Sequence, residues 1–188
     1  MTDRLKGRRV AILATDGFEQ SELFTPLEVL KNEGASVDVV SLRPGTIQGF
    51  DHLKPGKTHA VDATLENADS QAYDALVLPG GANNPDRLRI EETALDFVRG
   101  FDGAGKPMGV ICHAPWILIN AGIAEGKTLT SYETIRQDLA NAGAKVIDQD
   151  VVVDGHLITS RGPDDLPAFC DRLVEMIAGE DPPASVPE

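Results

Sequence analysis

Short apolar runs alternate along the chain with amphipathic stretches. Positions 10–14 (VAILA), 37–42 (VDVVSL), 75–78 (ALVL) and 108–111 (MGVI) have the length and composition of buried strands. Between them the apolar period changes to that of a helix: Leu23, Leu27 and Leu30 fall on one stripe, and residues 32–34 (NEG) supply a stop. A second helix is predicted over 91–101, a third from Pro115, and a fourth over 133–142, closed by Gly143. A last helix carries Leu166, Phe169, Cys170, Leu173 and Ile177 at helical spacing, which places Cys170 in the core. Strands alternating with helices are the mark of βαβ units, hence an α/β fold with a doubly wound, mostly parallel sheet and helices on both faces. Two stretches break the rhythm and predict hairpins: 44–62, and 146–160 around the Asp154-Gly155 turn. No repeat or linker divides the chain, so residues 1–178 are expected to form a single domain. Residues 179–188 (GEDPPASVPE) are too poor in apolar side chains to offset their ordering entropy and are expected to be a flexible tail.

Composition narrows the function classes. With 17 basic and 30 acidic side chains among 188 residues, the net charge is −13, which repels phosphate backbones and anionic lipid; neither nucleic acid nor a membrane surface is an expected partner. The apolar run near the N-terminus is too short for a signal sequence, and Cys112 and Cys170 do not suggest a disulfide framework, so a cytoplasmic location with free thiols is expected. His52, His59, His113 and His156 lack the spacing of a zinc site, so no metal is expected.

In a parallel sheet, chemistry collects at the carboxyl ends of the strands. Those ends carry DGFEQSEL with Glu19, PGG with Gly80 and Gly81, and Cys112-His113. Pro115 suits a helix start, so Cys112 sits at a strand-to-helix turn where a thiol ionises more readily than usual. Two readings of Cys112 stay open on local sequence, a nucleophile at the mouth of the sheet or one more small buried side chain. Glu19 could equally serve as a helix-start acid, Gly80 and Gly81 as a plain turn, Asp86 with Arg87 and Arg89 as a surface charge cluster, and Trp116 as pocket wall or core.

Five blocks, DGFEQSEL, ALVLPGGANNPDRLR, GVICHAPWILINAG, TSYETIRQDLANAGA and VVVDGHLITSRGPDDLPAF, resemble in order and spacing the PfpI-type intracellular protease family of the DJ/PfpI superfamily, over about residues 9–178. The resemblance implies a flavodoxin-like sandwich with Cys112 as nucleophile on a strained elbow. It implies Glu19 as the carboxyl beside the sulfur, and Gly80 and Gly81 as backbone donors to an oxyanion, with the His113 N–H nearby. It further implies that His113 is oriented by an acid from a neighbouring subunit, matched here by Asp86 where the family often has glutamate. The site would then be shared between the subunits of at least a homodimer. The implied activity is that of a cofactor-independent stress-response enzyme acting on reactive carbonyls, in the manner of a deglycase or glyoxalase. A cysteine peptidase acting on short peptides and a redox-responsive protein with an oxidisable Cys112 are the alternatives. A glutamine amidotransferase is disfavoured, because His156 is followed by Leu157 and Ile158 rather than by the His-x-Glu of that chemistry.

Overall fold

A computed structural model describes residues 3–180. In chain order the strands and helices are β1 (Arg9–Leu13), β2 (Phe18–Glu19), α1 (Gln20–Asn32), β3 (Ser36–Ser41), β4 (Thr46–Asp51), β5 (Lys54–Ala60), β6 (Ala63–Thr64), β7 (Ala75–Leu78), α2 (Asn83–Leu88), α3 (Glu92–Gly103), β8 (Met108–Ile111), α4 (Pro115–Ala121), β9 (Thr128–Leu129), α5 (Arg136–Asn141), β10 (Lys145–Val146), β11 (Val151–Asp154), β12 (Leu157–Ser160) and α6 (Leu166–Ala178). Seven strands form the central sheet in the order β11-β12-β8-β7-β1-β3-β6. All its pairings are parallel except β11 with β12.

The two-residue period of each strand divides its side chains between two apolar layers. Ala11, Leu13, Leu76, Leu78, Met108 and Val110 face one layer, with Phe97 and Phe101 of α3 and Ile117 and Leu118 of α4. Val10, Ile12, Ala75, Val77 and Ile111 face the other, with Leu23 and Leu30 of α1 and Phe169 and Leu173 of α6. Gly109 belongs to the second face. A Cβ there would lie 2.8 Å from the Phe169 ring, so the missing side chain is what lets α6 lie close on β8.

The doubly wound α/β sandwich is the fold expected from the strand–helix rhythm. The 44–62 stretch is a hairpin, β4 with β5, joined by β2 into a separate three-stranded sheet. The 146–160 stretch also holds its hairpin, β11 with β12, but β12 continues the main sheet beside β8, and Val146 belongs to a small β9–β10 pair. The expected fourth helix splits into a 3-10 turn at Glu133–Ile135 followed by α5. The short α2 after the Gly80-Gly81 turn had no expectation attached to it; six residues are too few to show a helical period. Of the expected tail, Gly179 caps α6 in the left-handed conformation and Glu180 pairs with Arg4 at 2.6 Å. The rest of the expected tail, 181–188, lies outside the described residues. Among the described residues no helix is long and apolar enough to cross a membrane.

Candidate active site

Strand β8 ends at Ile111, and the next residue adopts φ +64°, a left-handed conformation that costs a non-glycine residue on the order of 1–3 kcal/mol. Neighbouring backbone holds it there. Cys112 donates its N–H to Ser160 O on β12 at 3.0 Å, and its carbonyl accepts from Tyr132 N at 2.9 Å. Pro115 then opens α4. The reversal brings Cys112 and His113, which in an extended strand would point apart, to the same side: Cys112 Sγ lies 3.1 Å from His113 Nδ1.

Cys112 is 6% exposed. Burial and the facing Glu22 carboxyl push its thiol up, while the backbone amides of Gly81 and His113 pull the other way by donating toward the sulfur. These two amides are the specific anion-stabilising groups of the site; α4, at seven residues, adds only a short dipole. Burial also lowers the His113 pKa, which favours the neutral imidazole. Its ring stacks on Tyr132 at 4.6 Å between centroids and meets the edge of Trp116 at 5.4 Å, and Nε2 lies 3.3 Å from Thr134 Oγ1. Trp116 is thus a wall of the site as well as part of the packing. It is fixed by its own bond to Asp138 and covered by the Arg89 guanidinium 5.0 Å from its ring.

The carboxyl beside the sulfur is Glu22, where the sequence pointed to Glu19. The reason is the start of α1. Glu19 is the residue before the helix, in β2, and turns toward the β4–β5 hairpin, where its carboxylate accepts from His52 N at 2.9 Å and from Ser21 Oγ at 3.3 Å. Glu22, in the first turn, falls on the inward stripe with Leu23, Pro26, Leu27 and Leu30 and is fully buried. Its Oε2 accepts from Gly80 N at 2.8 Å, Oε1 has no hydrogen-bond partner among the described residues, and the carboxyl faces the Cys112 thiol. Burial first, then the nearby Glu19 charge, raises its pKa to about 8, so at neutral pH Glu22 holds a proton. A protonated Glu22 no longer repels a thiolate and offers it an O–H. The two groups titrate as a coupled pair, because the charge left by losing a proton from either one makes the second loss harder.

Gly80 departs from the expected donor role, because its N–H is spent on Glu22. Its need for glycine is steric: a Cβ would lie 2.6 Å from both Cys112 Cβ and Glu22 Oε2. Gly81, at φ +77° and pressed against Gly17 O, keeps its N–H facing the sulfur. Asn84, which the sequence reading passed over, pins these loops: it accepts from Thr15 N at 2.8 Å and donates to the carbonyls of Pro79 and Gly80 at 2.8 and 3.1 Å.

Asp86 does not meet His113 within its own chain. It lies on α2, largely exposed, with Arg89 at 3.8 Å as its ion partner. Beside the site, a cavity of about 340 Å³ runs from Tyr132 past Glu133 and Arg136 to His52, Arg161 and Asp164. Both arginines are committed, Arg136 to Asp148 and Arg161 to Asp165 and Asp148. Glu19, Asp51 and His52 bring three possible metal-ligand atoms within 4.8 Å of one another, a grouping that depends on the hairpin and was invisible in the histidine spacing.

The sequence profile of the DJ-1/PfpI family matches residues 8–176. A protein of Thermococcus kodakarensis named a deglycase is 44% identical over 169 residues, covering 90% of this chain and 99% of its own. A Bacillus subtilis protein provisionally named a cysteine protease is 39% identical over 163 residues, covering 86% of this chain and 94% of its own. The crystal structure of Drosophila melanogaster DJ-1beta superposes with a TM-score of 0.84 at 29% identity, covering 96% of this chain and 92% of that one.

Proposed function

Since the chain belongs to the DJ-1/PfpI family, we propose that it is a cysteine-dependent enzyme acting on reactive carbonyls, with Cys112 as nucleophile, Glu22 and His113 moving protons, and the Gly81 and His113 amides receiving the oxyanion. One observation carries the reading: a buried thiol on a strained elbow lies 3.1 Å from His113 Nδ1 and faces the fully buried Glu22 carboxyl. The name of the Thermococcus relative supports the substrate class.

For an α-oxoaldehyde such as methylglyoxal, the Cys112 thiol passes its proton to the neutral His113 as the sulfur adds to the aldehyde carbon, forming a C–S bond while the carbonyl π pair becomes an alkoxide. The two amides donate to that oxyanion, Glu22 protonates it, and the proton held by His113 returns to Glu22, which leaves His113 neutral again. His113 then transfers a proton from C1 to C2 through an enediol, so the oxidation of C1 is matched by the reduction of C2. The product is a 2-hydroxy thioester, and water releases the hydroxy acid and the thiol. No outside oxidant is needed. An early amine or thiol adduct enters the same sequence once its hemiaminal or hemithioacetal collapses: the C1–N or C1–S bond breaks as the C1 carbonyl re-forms, the hydroxyl proton goes to the departing amine or thiol, and the aldehyde so released is attacked by Cys112.

A peptidase is the second reading, favoured by the 3.1 Å Cys112–His113 contact and by the name of the Bacillus relative. It calls for an acid behind His113. We assign that role to Asp86 from a second copy of the chain in a homodimer, since Asp86 is exposed and does not meet His113 in its own chain. Wild type and Cys112→Ser assayed on methylglyoxal and on a fluorogenic peptide separate the two. The carbonyl reading requires hydroxy-acid formation by wild type that is lost in Cys112→Ser; Cys112-dependent turnover of the peptide alone would select the peptidase.

A further inference from the structure

A second cavity, of about 480 Å³, opens at the carboxyl ends of β1 and β3 and is lined by Thr15, Asp16, Ser41, Arg43, Thr46 and Arg87, among others. It contains none of the groups assigned to the chemistry of Cys112. The loop after β1 divides the two places: Thr15 and Asp16 line this cavity, whereas Gly17 and Glu19 pack against Gly81.

The polar lining is unspent in a way that buried groups rarely are. Ser41 is 1% exposed and Thr15 8%, yet neither hydroxyl makes a hydrogen bond to another described residue. Neither hydroxyl oxygen is sealed from solvent, so what exposure they have is toward the cavity they line. Arg43, on the rim, has no ion-pair partner among the described residues, in a chain whose acidic side chains outnumber its basic ones by 30 to 17. Arg87 is held by Glu91 at 2.9 Å. Asp16 also faces the cavity; one carboxylate oxygen accepts from Gln48 N at 2.8 Å, and there is no ion pair between Asp16 and Arg43. A guanidinium and a carboxylate that share a cavity without joining each other are set for a ligand with opposite ends.

We infer that this cavity binds a small organic oxyanion, a carboxylate or a phosphate monoester, whose anionic oxygens meet Arg43 and the Ser41 and Thr15 hydroxyls while a donor group at its other end, ammonium or hydroxyl, meets Asp16. Arginine suits such oxygens through its paired N–H groups, and the volume falls within the usual range of small-molecule sites. The carboxyl ends of parallel strands are where such folds place their ligands.

Calorimetry on the full-length chain in phosphate-free, low-salt buffer tests this with two probes, L-serine for a carboxylate with an ammonium and glycerol 3-phosphate for a phosphate with hydroxyls. At least one is expected to bind, and Arg43→Gln, an exposed change that leaves the core untouched, is expected to weaken it by roughly tenfold, as loss of a charged hydrogen-bond partner should. Ser41→Ala should also weaken it, while Cys112→Ser should leave the affinity unchanged. Asp16→Asn identifies the source: it weakens L-serine, and it leaves glycerol 3-phosphate unchanged or tighter. Absence of binding by both probes at about 10 mM, a level at which even a very weak site is half filled, would overturn the inference. So would binding indifferent to Arg43→Gln. Either result is independent of whether the Cys112 site turns over carbonyls.

Discussion

Cys112 Sγ and His113 Nδ1 lie 3.1 Å apart although the two residues are consecutive. Successive side chains on a strand point to opposite faces, so this contact exists only because Cys112 leaves β8 at φ +64°. Strain at the elbow and proximity of the dyad are therefore one feature. Cys112→Ala and Cys112→Gly both remove the buried sulfur and should both abolish turnover, but only glycine relieves the left-handed conformation, so Cys112→Gly should be at least as stable as Cys112→Ala. A Cys112→Gly variant that melts well below Cys112→Ala would show that the elbow is not strained.

Glu22 and Glu19 should behave differently. Glu22→Gln is expected to lower turnover by roughly two orders of magnitude, the usual contribution of a positioned acid or base, while Glu19→Gln, which disturbs the hairpin contact to His52, should cost only a few-fold. Parallel kinetics on the two variants check the assignment, and equal losses would contradict it.

The raised Glu22 pKa has a sign in stability. Glu22 would ionise near 4.5 when unfolded but only at about 8 when folded. Between those values the native state holds the extra proton, so stability falls as pH rises across the window and levels off above about 8. The full effect is on the order of 5 kcal/mol, and Glu22→Gln should flatten it. Urea unfolding of wild type and Glu22→Gln at several pH values reads the difference directly. The same proton should set an alkaline limb in the pH profile of kcat/KM near pH 8, absent in Glu22→Gln.

Much of the fold was legible because each strand is a short apolar run and each main helix carries a stripe. Cys112, His113 and Gly81 could be found because they sit at strand ends, where the sheet fixes their place. Glu22 was hidden by a shift of one helical turn. Which of two glutamates faces inward depends on where α1 begins, although Glu22 shares its stripe with Leu23, Pro26 and Leu27, and a carboxylate among apolar positions was the available signal. Thr134 and Asn84 were missed because their partners, His113 and the loop carbonyls, are distant in sequence.

Thr134 should act on catalysis through His113. Its hydroxyl, 3.3 Å from Nε2, leaves Nδ1 to face the sulfur. Thr134→Val is expected to lower kcat by roughly tenfold with little change in KM, and Thr134→Ser to restore it, a pattern that follows from loss of one orienting hydrogen bond. A Thr134→Ser variant as impaired as Thr134→Val would assign the effect to packing.

Reactivity should separate the two thiols. Burial pushes both thiols up, and Cys112, which also faces Glu22, is pushed further than Cys170; what separates them is contact, since Cys112 Sγ lies 3.1 Å from His113 Nδ1 with the Gly81 and His113 amides donating toward it, whereas Cys170 lies on the apolar face of α6. Limited alkylation followed by peptide mapping should label Cys112 first. Equal labelling in the folded protein would remove the distinction.

The central claim is that Cys112 and the protonated Glu22 together turn over a reactive carbonyl. The most direct measurement is hydroxy-acid formation from methylglyoxal by wild type, Cys112→Ser and Glu22→Gln, each verified as folded by circular dichroism. The account predicts product from wild type, none above background from Cys112→Ser, and a rate about a hundredfold lower from Glu22→Gln. Undiminished product from folded Cys112→Ser, or no product from wild type, would contradict it.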